Sequence, residues 1–159
     1  MEVSYVKVLI DADGCPVVDI AAALCRTYRI PCHIFCDTAH RIETDGAETF
    51  VLDKGADSVD FFLVNRISPG DIVITQDYGL ASMALSPSAR VVHQDGWEYT
   101  ADNIDALLLV RHESRKHRAA GGRMKSIPKR TQQQNTRFRQ TLDTILKTLS
   151  TGNGPEAAD

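Results

Sequence analysis

At 159 residues the chain has the length of one ordinary domain, enough to bury a core without disulfides or a structural metal. Its 43% apolar and 25% charged content, with 10 glycines, excludes disordered and fibrous architectures, and no apolar run approaches the ~20 residues of a membrane helix. The net charge of -3 conceals an uneven distribution, because 11 Lys or Arg face two acids between Arg111 and Lys147 while the remainder has seven basic and 19 acidic residues. A basic C-terminal region on an acidic body suits a polyanion such as nucleic acid. A solvated, charge-rich helical surface explains it equally well. The N-terminal stretch has no basic segment before its short apolar run, which places the chain in the cytoplasm, and the four cysteines are therefore read as free thiols.

The first element is Val6-Lys7-Val8-Leu9-Ile10, β-branched and apolar nearly throughout, as a parallel strand buried on both faces requires. It stops at Asp11. After the Asp11-Ala12-Asp13-Gly14 loop, Pro16 suits the first turn of a helix whose apolar face is Val17, Ile20, Ala21, Leu24 and Tyr28. Residues 30–36 read as a second strand, a polar stretch runs from Asp37 to Glu48, and residues 49–52 form a third strand. A turn at 54–57 leads into a helix with Val59, Phe62, Leu63 and Val64 facing the core and Asp57 and Asp60 on one face, Asp57 as its cap. Ser68-Pro69-Gly70 is turn punctuation before the strand at 71–75, which is followed by Asp77, a short helix over 79–84 and a strand at 90–93. Thr100 caps a helix carrying Ile104, Leu107, Leu108 and Arg111. Past a basic loop at 118–130, Thr131 and Gln134 have the spacing of a capping box, and Phe138, Leu142, Ile145, Leu146 and Leu149 form an apolar stripe.

Alternating strands and helices predict an α/β fold with a mostly parallel sheet covered on both faces. In such a sheet ligands gather beyond the carboxyl ends of the strands. Asp11, Asp13 and Asp77 all fall there, and Asp60 can reach the same rim. A lone aspartate after a strand means little, because aspartate also favours turns and helix starts; the coincidence across several connections is what counts. Crowded carboxylates repel unless something positive joins them, and hard oxygen donors favour Mg²⁺ or Mn²⁺.

Four segments now taken in order, Ile10-Asp11-Ala12-Asp13-Gly14-Cys15-Pro16-Val17, Gly55-Ala56-Asp57-Ser58-Val59-Asp60, residues 71–81 with Thr75-Gln76-Asp77, and Gly121-Gly122-Arg123, resemble the YaiI/YqxD family of uncharacterised bacterial proteins over residues 6 to about 149. That family is similar to PIN-like nuclease domains. The resemblance implies one PIN-like, Rossmann-like three-layer domain over 1–150, with the basic helical segment 101–149 part of it and a flexible tail at 151–159. It also implies a metal-dependent ribonuclease site at Asp11, Asp13, Asp60 and Asp77. Arg111, Arg115, Arg118, Arg123 and Lys125 would then hold the phosphates of RNA.

Two other functions fit the same residues. Residues 8–14 look like the first motif of haloacid-dehalogenase-like phosphatases, with Asp11 as nucleophile and Asp13 as acid, although Lys54 and Thr75 then occur in the wrong order. A non-catalytic RNA-binding module would use the basic region alone. Cys32, Cys36 and His40, with His33 nearby, invite a zinc site, yet strand residues four apart lie ~13 Å apart, so core thiols are expected. Cys15 is read as packing. His93, His112 and His117 are read as surface or structural groups, and Trp97 and Tyr99 as loop anchors that also suit base stacking.

Overall fold

The structure, a computed structural model, describes residues 6–53, 58–86, 88–119, 121 and 129–152. In chain order the elements are β1 (Val8–Asp11), α1 (Val18–Tyr28), β2 (Cys32–Asp37), β3 (Glu48–Leu52), α2 (Ser58–Val64), β4 (Ile72–Ile74), α3 (Tyr78–Leu85), β5 (Arg90–Val92), β6 (Glu98–Tyr99), α4 (Ala101–Ala119) and α5 (Gln132–Gly152). The strands form a single open sheet in the order β3-β2-β1-β4-β5-β6, parallel except for β6. This is a three-layer, Rossmann-like arrangement, and the strand order reverses between β1 and β4.

The period of two along each strand divides the core. Val8, Ile10, Ile34, Ile72, Ile74 and Val92 face α1 and α5, where they meet Val18, Ala21, Phe138, Leu142 and Leu146. Leu9, Phe35, Val73 and Val91 face the opposite side and pack with Leu63 of α2, Leu80 and Ala84 of α3, and Ile104 of α4. Both faces are apolar, which is why the strands read as unbroken hydrophobic runs. The helices dock by apolar stripes, and α4 and α5 carry the caps expected of them, while the cap expected at Asp57 lies outside the described residues. Asn103 N-H donates to Thr100 Oγ1 at 3.2 Å, and Thr131 and Gln134 close a reciprocal box, Gln134 N to Thr131 Oγ1 at 3.3 Å and Thr131 N to Gln134 Oε1 at 2.7 Å.

Parallel strands β2 and β3 are joined by a loop without a helix, as the polar stretch from Asp37 to Glu48 implies. Two features differ from the sequence expectation. Pro16 precedes α1, whose first helical residue is Val18. Finally, β6 turns back on β5 through His93 N to Trp97 O (2.8 Å) and Gly96 N to His93 O (2.9 Å), so Trp97 and Tyr99 belong to an edge hairpin. A two-residue strand is too short to show periodicity. Of the tail expected at 151–159, residues 151 and 152 complete α5 and the rest lie outside the described residues.

Candidate functional site

Asp11 ends β1 on the same side as Leu9, and Thr75 follows β4 on the same side as Val73, so both side chains emerge toward the α2–α3 layer at the switch between β1 and β4. Thr75 joins the two strand ends. Its hydroxyl donates to Asp11 Oδ2 at 2.8 Å and accepts from Asp77 N-H at 3.0 Å, while Tyr99 O-H donates to the Thr75 carbonyl at 3.1 Å. Asp77 is also the N-cap of α3, its Oδ1 accepting from Gly79 N at 2.8 Å and Leu80 N at 3.2 Å. One carboxylate is thus fixed by a neighbouring hydroxyl and the other by a helix start.

Around them Asp11, Asp13, Asp37, Asp60 and Asp77, with Val59 and Gln76, line one open pocket of about 320 Å³. Burial pushes the Asp11 carboxyl up from its ordinary 3.8 to about 7; the Thr75 hydrogen bond opposes the rise, and the charges of Asp60, Asp77 and Asp13 add to it. Asp13 Oδ1 is sealed from solvent and accepts no hydrogen bond among the described residues. An acceptor in that condition, among hard oxygen donors that repel one another, fits a divalent cation such as Mg²⁺ or Mn²⁺.

All four acids expected from the sequence therefore share a pocket, and a tighter grouping adjoins them. Among the described residues the one set of three metal-ligating side chains with donor atoms all within 4.8 Å of one another is Asp13, Asp37 and His40. Asp37 was missed, although it ends β2 as Asp11 ends β1. The same rule applied to β2 would have found it. In the sequence His40 stands nearest Cys32 and Cys36, whose thiols are buried in the α1–α5 side of the core; all four cysteines are free. Cys15 borders the site, and burial pushes its thiol up to about 11, against the pull of its bond with the Val17 backbone, so it stays protonated.

His93 is buried and stacked on Trp97 with centroids 4.4 Å apart, and Trp97 packs against Tyr99 at 4.6 Å, which assigns all three to the β5–β6 hairpin. His112 is exposed on α4. Arg111, Arg115, His117 and Arg118 fall on α4, but their side chains lie outside the described residues, as do Lys54, Asp57, Arg123 and Lys125 altogether.

The model of the uncharacterised BCR, YaiI/YqxD family matches residues 9–148. A protein of Exiguobacterium sibiricum named "UPF0178 protein" is 48% identical over 140 residues, 88% of this chain and 96% of its own. One of the same name from Natranaerobius thermophilus is 45% identical over 140 residues, 88% and 95% of the two chains. No solved structure matches the chain.

Proposed function

The chain belongs to the YaiI/YqxD family, and we propose that it is a divalent-cation-dependent nuclease that hydrolyses phosphodiester bonds in RNA. The observation carrying this reading is the convergence of Asp11, Asp13, Asp60 and Asp77, from separate segments of the chain, on one pocket at the switch point of the sheet. These four would hold Mg²⁺ or Mn²⁺. When bound, such an ion polarises a phosphoryl oxygen and lowers the pKa of a water. The chain's own part is to bind and orient. Thr75 holds the Asp11 carboxylate and the amides of α3 hold Asp77, so little reorganisation is needed when a phosphate arrives. Arg111, Arg115, Arg118, Arg123 and Lys125 supply the positive charge for the backbone of the strand.

The test is cleavage of labelled single-stranded RNA with Mn²⁺ by wild type, Asp11→Asn and Asp77→Asn, each shown to be folded. Wild type should cut and both variants should lose at least about a hundredfold in rate, in the range set by removing a group that stabilises a transition state. Equal cleavage by all three would discard the site. Retention of RNA in chelator without any cleavage would identify a binding module instead. One contact favours a phosphatase of the haloacid-dehalogenase type, the Thr75 hydroxyl beside Asp11, and a phosphorylated Asp11 trapped from a phosphate ester would establish it.

A further inference from the structure

We infer that Asp13, Asp37 and His40 form a second divalent-cation site, beside the Asp11–Asp60–Asp77 side of the pocket. Cation uptake, not hydrolysis, is the part of the preceding reading on which it rests. Asp13 comes from the β1–α1 loop, Asp37 from the end of β2 and His40 from the loop after it, and β1 and β2 are hydrogen-bonded neighbours. Two adjacent strand ends therefore present the donors. Local bonds hold them: Asp37 Oδ1 accepts from Ala39 N at 2.9 Å, and His40 N donates to the Asp37 carbonyl at 3.2 Å.

The spacings suit one ion. His40 Nδ1 lies 3.0 Å from Asp37 Oδ1 and 3.9 Å from Asp13 Oδ1, and all three donors fall within 4.8 Å. Ligands at ~2.1 Å from a six-coordinate ion stand about 3 Å apart when adjacent and about 4.2 Å apart when opposite. The contact between Asp13 Oδ1 and His40 Nδ1 is too long for a hydrogen bond, yet this same oxygen is closed to solvent and has no hydrogen-bond partner among the described residues. A buried acceptor left in that condition is destabilising, and a shared cation removes the deficit. The imidazole is 64% exposed, which leaves an entry route and room for water to complete the coordination. One nitrogen with two carboxylate oxygens favours Mn²⁺ or Zn²⁺ over Mg²⁺. Asp13 and Asp37 both line the acidic pocket, so the two ions would be neighbours, with Asp13 between them.

Titration of the chelator-treated full chain with Mn²⁺, followed by the resonance of free Mn²⁺ and by calorimetry, tests this. Wild type should take up two ions. His40→Ala and Asp37→Asn should each lose one and keep the other, whereas Asp11→Asn should lose the other and keep this one. Addition of Zn²⁺ should shift the His40 ring resonances in wild type and in Asp11→Asn alike. If His40→Ala and Asp37→Asn bind Mn²⁺ with wild-type stoichiometry and affinity, His40 is only a hydrogen-bond partner of Asp37 and the inference fails. It fails equally if wild type binds no ion. A single ion lost in His40→Ala but retained in Asp11→Asn would uphold the inference and remove the metal role proposed for Asp11.

Discussion

Two aspartates near β4 and β1 show how position decides a side chain's role. Asp71 precedes β4 at the end of the sheet away from the pocket, fully buried, where it accepts from Lys7 Nζ at 2.6 Å, Lys7 N at 3.1 Å and Ser68 N at 2.8 Å. Every acceptor there is matched, so Asp71 is structural. Asp71→Ala should cost about 3 kcal/mol by stranding Lys7 and two amides, read from urea denaturation. Asp11 is the opposite case. Its carboxyl lies at about 7 in the fold, above the ordinary 3.8, because burial and three neighbouring acids disfavour the charge. The folded protein therefore binds more protons than the unfolded chain between these values, so this group's stabilisation is complete below the unfolded pKa and is lost as pH rises through the folded one. In chelator at pH 8, Asp11→Asn should be more stable than wild type by up to about 4 kcal/mol, and the gap should close toward pH 4. A wild-type advantage at pH 8 would show that Asp11 is matched by a partner as Asp71 is. Asp11 and Asp77 were legible because each follows a buried strand. Asp71 was not, since its partner Lys7 lies 64 residues away and only folding joins them. Asp37 carried the same signal as Asp11 but was absorbed into the polar stretch that follows it.

At the level of elements, periodicity and caps located five strands and all five helices, because each buries one or two continuous faces. The edge hairpin escaped, and it matters to how α5 docks. Gly96, at φ +94°, lies against α5: a Cβ there would stand 2.8 Å from both the carbonyl carbon and the oxygen of Arg137, and the Gly96 carbonyl accepts from Thr141 Oγ1 at 2.7 Å. Arg130 adds to the same seam, donating to Asp95 Oδ1 at 2.7 Å and to the Gln94 carbonyl at 2.6 Å. Backbone cannot yield as a side-chain tip can. Gly96→Ala should therefore destabilise by about 2–3 kcal/mol through left-handed strain and displacement of the helix. A lowered urea midpoint with an unchanged slope checks it; an unchanged midpoint would mean that the hairpin shifts freely against α5.

For the whole molecule, the two signs of charge are kept apart. The carboxyl edge of the sheet gathers five aspartates, whereas most of the positive charge is confined to the segment from Arg111 to Lys147. A polyanion meets repulsion at the first and attraction at the second. RNA affinity should accordingly fall with monovalent salt and fall again, at constant ionic strength, when Mn²⁺ is replaced by chelator. A module that uses its basic region alone would show the first effect without the second. Each phosphate neutralised by a side chain contributes about 0.7 to the slope of log affinity against log salt on a single strand. The double variant Arg118→Ala, Arg123→Ala should make that slope shallower by about 1.4 and leave Mn²⁺ uptake unchanged. Fluorescence anisotropy across a potassium chloride series measures it, with Asp77→Asn as the uncut background. An unaltered slope would mean that the basic segment is a solvated surface, and the phosphates would have to be held elsewhere on the fold.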